Sequence, residues 1–251
     1  MMESIPDRRR VPHIDVNGDT LRIFAGVTML CFTVSISVIQ NGLLGVTSLS
    51  AEQLHELLAA EPEKMVLASW AAVLQLIGGL SIPVLSFLLT ERFLSTKKYG
   101  WDLLSLLAAA LISEVPYDMA MSGKYVYLPS QNMLLSLLIA FIMLYGLRLF
   151  AASKGMQIVI VLAALLWGSF FRAEFAPGLI LLAAVFYLFR GEPKKRAVCS
   201  CIVGLLYVTA PISHFVWKRY NGCSGHPCGM YIFMAAYPLH LLVLSCIVRM
   251  I

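Results

Sequence analysis

The sequence predicts an all-α fold: a polytopic bundle of about eight transmembrane helices with both termini in the cytoplasm. Of its 251 residues, 59% are hydrophobic and only 13% are charged, whereas soluble domains carry about 25% charged residues. The apolar residues form runs of about 20, the length that crosses a bilayer as a helix. The basic residues lie in the loops between these runs, as membrane topology requires. These observations exclude a soluble globular domain.

Each predicted span is an apolar run bounded by polar residues, glycine or proline. Residues 1–20 are polar and contain Pro6 and Pro12, which predicts a mobile cytoplasmic tail before a single transmembrane domain at 21–251. The eight predicted spans cover 21–40, 65–90, 101–113, 132–150, 156–171, 175–189, 197–217 and 230–248.

Three local signals refine this division. Ser50 is a suitable N-cap for a short amphipathic helix on the membrane surface, which Pro62 would end. The second span contains Gly78-Gly79 and Pro83, so we expect it to be bent or broken near its middle. A run of more than 30 apolar residues is interrupted only at 172–174, which predicts a tight reversal there.

The distribution of charge sets the predicted topology. With the amino terminus inside, most of the 19 lysine and arginine residues fall in inner loops. The loop at 223–228 is then outside, and it contains Cys223, His226 and Cys228. This set lacks a second ligand pair, so we predict no metal site, and a disulfide is the alternative if the loop faces an oxidising compartment. The sequence shows no alternation of basic and aromatic residues, so nothing in it indicates nucleic-acid binding.

Ionisable residues inside apolar runs are costly and are candidates for function. His240 lies near the middle of the last span, where an imidazole can act as base, acid or hydrogen-bond donor. The alternative is a structural hydrogen bond to a carbonyl that Pro238 frees. Glu91 ends the second span and is either functional or simply solvated.

Two further pairs of ionisable residues could be either functional or structural. Glu114 and Asp118 are four residues apart, but Pro116 between them argues against one continuous helix. They either converge on a pocket or cap the span at the outer interface. Arg172 and Glu174 either serve a site or form an ion pair in the turn. These residues suggest a cavity open to water, which fits an enzyme and a transporter equally.

Several segments, taken in order, resemble the TraX family of bacterial membrane proteins. They are PVLSFLLTE at 83–91 followed by Thr96 and Tyr99, LISEVPYD at 111–118, Asn132 at the start of a span, the turn from Glu174 to Gly178, and YPLHL at 237–241. Their order and spacing make the resemblance specific, and it covers most of the chain from Leu21 onwards.

The resemblance implies a multi-pass acyltransferase of the bacterial inner membrane. It would transfer an acyl group from acyl-CoA, with acetyl-CoA the expected form, to an amine on a small molecule or peptide, with membrane lipid around it. The type member is associated with acetylating the amino-terminal amine of a pilin subunit. The implied catalytic residues are His240, Glu91, Glu114 and Asp118, with His240 as the base oriented by a carboxylate. The expected substrate-binding residues are Tyr117, Asn132, Arg172, Glu174 and Tyr237.

The chain departs from the family pattern at three positions. An Asp-His pair in the family's first span corresponds to Phe32-Thr33 here, an arginine of the second span to Gly79, and a glycine to Arg92. The protein is therefore an acyltransferase that uses His240 instead, or a membrane scaffold or small-solute transporter that keeps the fold without the chemistry.

Overall fold

A computed structural model describes residues 16–226 and 228–250, and within them the fold is entirely helical. The predicted tail lies mostly outside the described residues. The only β-type pairings in the described chain are isolated bridges between Val16 and Tyr220 and between Gln131 and Ala173. The all-α fold class is confirmed.

The helices follow one another with short connections. They are α1 (Gly18–Val34), α2 (Ala51–Ala60), α3 (Pro62–Gly79), α4 (Ser81–Ser95), α5 (Tyr99–Ser122), α6 (Met133–Leu149), α7 (Lys154–Phe170), α8 (Ala176–Leu188), α9 (Pro193–Leu205), α10 (Ala210–Arg219) and α11 (Gly229–Met250). The π-helix Ser35–Leu43 continues α1, and a 3-10 turn, Val46–Ser48, follows it.

Among the described residues, four helical segments are long and apolar enough to cross a membrane: Gly18–Leu43, Pro62–Ser95, Tyr99–Ser122 and Gly229–Met250. Three shorter apolar helices, α6, α7 and α8, correspond to other predicted spans. The buried core lies mainly on α4, α6 and α8, where Leu144, Leu179 and Leu182 have no exposed surface. The long helices surround this centre.

Three sequence-based expectations are confirmed. The second span is divided at Leu80, between α3 and α4, where Gly78 packs so closely on Phe32 that a Cβ would collide with it. Ser50 caps α2, because its Oγ accepts from the Gln53 amide at 3.2 Å and its own amide donates to Gln53 Oε1 at 2.9 Å. The chain reverses between α7 and α8 at residues 171–175.

The expectation that Pro116 interrupts the third span is wrong, because α5 runs unbroken from Tyr99 to Ser122. Proline removes one amide donor from the helix, a loss that transmembrane helices tolerate when neighbouring groups compensate. The helix therefore presents Glu114 and Asp118 one turn apart on the same face.

The expectation of a single span at 197–217 is also wrong, because α9 and α10 form a hairpin. The chain turns at residues 206–209, where the Thr209 amide donates to the Gly204 carbonyl at 2.7 Å. Arg196 near the start of α9 and Tyr220 after α10 both lie within electrostatic range of Glu91. The hairpin thus enters the bundle and returns to the end where it began.

This return places the start of α11 beside the start of α1. The Gly18 amide donates to the Cys223 carbonyl at 2.8 Å, and the His226 amide donates to Asp19 Oδ2 at 2.7 Å. At the other end of α11, the Arg249 guanidinium lies 5.4 Å from the Tyr125 ring centroid, beyond the end of α5. The two ends of the described chain lie at opposite ends of the bundle, which differs from the prediction that both termini share one side.

We call the end that holds the starts of α1, α5 and α11 the basic end. Its lysine and arginine residues are Arg22, Arg92, Lys97, Lys98, Arg148, Lys154, Arg190, Lys194, Lys195, Arg196, Lys218 and Arg219. Within the described chain, the opposite end has only Lys64, Lys124, Arg172 and Arg249. The hairpin therefore increases the difference in lysine and arginine content between the two ends of the bundle, since it brings Lys218 and Arg219 to the basic end.

Candidate functional site

Most of the residues predicted from sequence meet in one cluster near the opposite end of the bundle. We call it the acid–tyrosine cluster, and it consists of Glu114, Tyr117, Asp118, Asn132, Glu174 and Tyr237. Three parts of the fold assemble it: the second half of α5 with the residues that precede α6, the turn before α8, and the middle of α11.

Asn132 connects α5 to α6. Its side-chain amide donates to Glu114 Oε2 and, at 2.8 Å, to the Ala110 carbonyl. Its Oδ1 accepts from the Leu134 amide at 3.0 Å and so caps α6. Because Asn132 has no exposed surface, these bonds fix the position of the Glu114 carboxylate.

Glu114 and Asp118 each have one carboxylate oxygen without a partner. Asp118 Oδ2 accepts from the Tyr127 amide at 2.7 Å, but the buried Asp118 Oδ1 and Glu114 Oε1 make no hydrogen bond. No ion pair in the described part of the chain involves either residue. Buried carboxyl oxygens without a partner are costly, so the pair has the capacity to bind a cation or another hydrogen-bond donor.

Glu174 joins the cluster from the turn between α7 and α8. Its carboxyl group lies within hydrogen-bonding reach of the Tyr117 hydroxyl, which also bonds Ser130 Oγ at 2.8 Å. Although the residue as a whole is only partly buried, desolvation of its carboxyl group raises its pKa to about 8. Arg172, with φ of 51°, is exposed and makes no ion pair with Glu174 within the described chain.

Tyr237 and His240 belong to the same region of α11. The Tyr237 ring is buried and lies 5.3 Å from the His240 ring, edge to face. His240 Nδ1 lies 3.3 Å from the Ala236 carbonyl. A carbonyl only accepts, so this contact favours, for the neutral imidazole, the tautomer with the proton on Nδ1 and the lone pair on Nε2. Nε2 is buried without a partner, which is the state that a general base requires.

For His240, the alternative to a functional role was a hydrogen bond to a carbonyl that Pro238 frees. The structure contains a hydrogen bond from His240 to a backbone carbonyl, but to a different one. A proline at 238 frees the carbonyl of Met234, four residues earlier, whereas the imidazole bonds Ala236. No carboxylate hydrogen bond orients the ring in the described residues. The backbone carbonyl takes the orienting role that we assigned to a carboxylate.

The position of the family's Asp-His pair contains no ionisable group here. The Phe32 ring packs 4.7 Å from the Phe175 ring and against Gly78. Thr33 is buried and donates to carbonyls of its own helix, to Leu30 at 3.1 Å. The π-helix that begins at Ser35 follows directly and contacts α11. π-Helical segments are rare and frequently mark functional sites.

Glu91 does not join the acid–tyrosine cluster but lines a second site at the basic end. This site, which we call the basin, has a volume of about 160 Å³ and is lined mainly by polar residues. They include Arg22, Glu91, Arg92, Tyr220, Ser224 and His226. The basin is a place where an anionic group would meet two guanidinium groups.

An ion pair that the sequence analysis missed forms one wall of the basin. Arg92 binds Asp102 in bidentate fashion, with Nη2 and Nε at 2.6 and 3.0 Å from the two oxygens. Tyr231 on α11 donates to Asp102 at 3.5 Å. In the sequence, Asp102 at the start of an apolar run was the signal that could have predicted this ion pair. A carboxylate that becomes buried there needs a cation. Arg92, a departure from the family glycine, meets this need.

A smaller apolar cavity of about 60 Å³, which we call the shaft, adjoins the basin on the side of the bundle core. Arg22, Arg92, Leu88 and Met230 line both spaces. The shaft ends among Leu134, Leu137 and Met234. Leu134 follows Asn132 by two residues and Met234 precedes Tyr237 by three, so the shaft approaches the acid–tyrosine cluster from the basic end.

The loop at the basin carries cysteines but no bond between them. Cys223 and Cys228 are both free and exposed. No group of three or more histidine, cysteine or acidic residues in the described chain could hold a metal ion.

Comparison with known proteins agrees with the resemblance described above. The family model described as TraX protein matches residues 17–248. No curated protein and no solved structure shows a significant match to the chain. Since the matched region covers nearly all of the sequence, the chain belongs to the TraX family.

Proposed function

We propose that the protein is a membrane acyltransferase that transfers an acyl group from acyl-CoA to an amine. One observation carries this proposal: a basin with two arginine side chains adjoins an apolar shaft, and both arginines line the two spaces. Acyl-CoA combines the same two chemistries, since it joins anionic phosphates to an apolar acyl group. Arginine is well suited to bind phosphate oxygens.

The proposed orientation puts the basic end in the cytoplasm of a bacterial cell, across its inner membrane. The positive-inside rule favours this orientation because the short loops at that end carry most of the lysine and arginine. Acyl-CoA would then enter from the compartment where it is made. Arg22 and Arg92 would bind its phosphates, and Glu91 would hold Arg196 beside the basin.

The proposed amine site is the acid–tyrosine cluster. The unpartnered oxygens of Glu114 and Asp118 would accept hydrogen bonds from an ammonium group. Tyr117, Asn132 and Tyr237 would shape the site around it. Arg172 is exposed and would contribute only at the entrance.

The proposed chemistry is general-base catalysis at His240. Nε2 removes a proton from the ammonium, and the freed lone pair attacks the thioester carbonyl. The carbon–sulfur bond then breaks, the nitrogen gives its second proton to the departing sulfur so that CoA leaves as the thiol, and the His240 imidazolium releases its proton to water. The reacting groups would meet between the inner end of the shaft and Tyr237, where the two sites approach each other.

The test is turnover of acetyl-CoA and longer acyl-CoAs by the purified protein with a mixture of primary amines, read by product mass. His240→Ala should lower the rate by about 10²–10⁴-fold, the usual contribution of a general base. His55→Ala is the matched control, because His55 is exposed on α2, and it should keep the wild-type rate. Full activity in His240→Ala would refute the role of His240.

A second candidate function is a scaffold or small-solute transporter. The specific observation in its favour is that Phe32 fills the position of the family's acid with a close apolar contact to Gly78. Such a protein would not bind acyl-CoA. Absence of both acyl-CoA binding and product, across chain lengths, would favour this candidate, and substrate flux without CoA would indicate a transporter.

A further inference from the structure

A long apolar groove lies on the outer surface between α5 and α11. It has a volume of about 760 Å³. Its small lining side chains are Ser105, Ala108 and Ala109 on α5 and Ala235 on α11. Large exposed side chains form its rims, among them Ile112, exposed by 66%, and Leu239, exposed by 61%. The groove therefore has the shape and polarity of a site for an extended hydrocarbon chain.

An apolar lining alone does not select an occupant, because the surrounding lipid is as apolar as the groove. Selection requires polar groups at one end. Trp101 and Tyr231 line the groove near the basic end, and such side chains mark the level of lipid headgroups. The groove thus has a headgroup end and a hydrocarbon end.

Lys97 and Lys98 directly precede this headgroup end along the chain. The Lys98 carbonyl accepts from the Trp101 amide at 3.0 Å, which places Lys98 one turn before Trp101. Both lysines are exposed, and within the described residues neither forms an ion pair. Asp102, the nearest carboxylate in sequence, is buried and paired with Arg92. The exposed segment that leads into this end of the groove is therefore positively charged.

We propose that this groove is a binding site for an anionic phospholipid, with its phosphate-containing headgroup on Lys97 and Lys98 and an acyl chain between α5 and α11. Basic pockets between transmembrane helices bind the headgroups of anionic lipids. This site is distinct from the proposed acyl-transfer site, because it lies on the outer surface and uses neither Arg22 nor His240, although Met234 lines both the groove and the shaft.

The test uses the purified full chain in nanodiscs of phosphatidylcholine that contain a small fraction of phosphatidylglycerol. The probe is phosphatidylglycerol with brominated acyl chains, which quenches tryptophan fluorescence, and the Trp101 signal is obtained by subtracting the signal of Trp101→Phe. Wild-type protein should bind brominated phosphatidylglycerol about tenfold more tightly than brominated phosphatidylcholine, since each lysine contributes attraction at the surface.

Two pairs of variants separate the headgroup from the groove. Lys97→Gln with Lys98→Gln should lose the preference, whereas Lys194→Gln with Lys195→Gln, an equal loss of charge at the start of α9, should keep it. Ala235→Leu fills the groove and should reduce quenching by both lipids. Ala163→Leu is its control, because Ala163 lines a separate apolar groove between α6 and α7, and it should have no effect.

Equal quenching by the two lipids in wild-type protein would overturn the proposal. Equal losses in the two double-lysine variants would also overturn it, because the attraction would then come from the overall charge of the basic end. Quenching that survives Ala235→Leu unchanged would show that the lipid lies outside the groove.

Discussion

The basin and the acid–tyrosine cluster satisfy their charges in opposite ways. In the basin, acidic groups pair with arginine, Asp102 with Arg92 and Asp19 with Arg22, both at 2.6 Å. In the cluster, the described carboxyl groups have no cationic partner: they meet neutral groups, such as the Asn132 amide and the Tyr117 hydroxyl, and Glu114 also interacts with Asp118. The basin offers guanidinium groups to an anion, while the cluster leaves oxygens for a cation. A protein with two substrates of opposite charge, one at each site, would use this difference.

Breaking the ion pair of the basin should have the largest effect on stability. Arg92→Ala leaves the carboxylate of Asp102, 1% exposed, without its cation. Loss of one partner of a buried pair costs about 3–5 kcal/mol, and we expect the lower end because the Arg92 side chain is 32% exposed. Thermal unfolding in detergent measures the change.

Two variants serve as controls for this prediction. Lys195→Ala breaks the exposed pair with Glu192 and should change stability by less than about 1 kcal/mol. Combining Arg92→Leu with Asp102→Leu should recover much of the loss, because it removes the stranded charge. An Arg92→Ala protein as stable as Lys195→Ala would contradict the importance of the pair.

In the cluster, the removal of Asn132 should have the next largest effect. Asn132→Ala loses the cap of α6 and the bonds to Glu114 and Ala110, so we expect a loss of about 2 kcal/mol. Asn17→Ala is the comparison, because Asn17 caps α1 at an exposed site through the Thr20 amide. It should cost about 1 kcal/mol. Equal losses of melting temperature would show that Asn132 acts only as a cap.

A pair of substitutions tests the assignment of one substrate to each site. Arg22→Gln should raise the KM for acyl-CoA about tenfold, equivalent to 1.4 kcal/mol, and leave the KM for the amine within about twofold. Asp118→Asn should do the reverse, because the amide presents less negative charge to the ammonium. Steady-state kinetics with each substrate varied in turn gives both constants. If both variants raised the same KM, the two-site assignment would fail.

A pH dependence of stability should also arise at Glu174. Burial raises the pKa of this carboxyl group from its ordinary value of 4.5 to about 8. A raised pKa means that the folded state disfavours ionisation, so stability falls as pH rises from about 4.5 towards 8. Glu174→Gln should remove this part of the decline. Melting temperatures measured from pH 5 to 9 that fall in parallel for both proteins would contradict the prediction.

Local features of the fold were predictable because their causes lie within a few residues. The cap at Ser50, the break after Gly78-Gly79 and the reversal at 172–174 each follow from a short pattern. The choice of His240 as a candidate site residue also came from the sequence, because an imidazole in a long apolar run is costly wherever the helix packs, and its role stays a prediction. The tautomer with the proton on Nδ1 was not predictable, because it depends on the rotamer that brings the ring to the Ala236 carbonyl.

The sequence by itself determined that the protein is helical, apolar enough for a membrane and more basic in some loops than in others. Only the tertiary structure decided that α5 continues through Pro116, that α9 and α10 form a hairpin, and which carboxylates meet. Hydropathy shows how apolar a segment is, but it does not show whether the segment crosses the whole bundle or turns back to the end where it began. Contacts between distant helices made that choice: the loop before α11 bonds the start of α1, and Asn132 bonds Glu114 on α5.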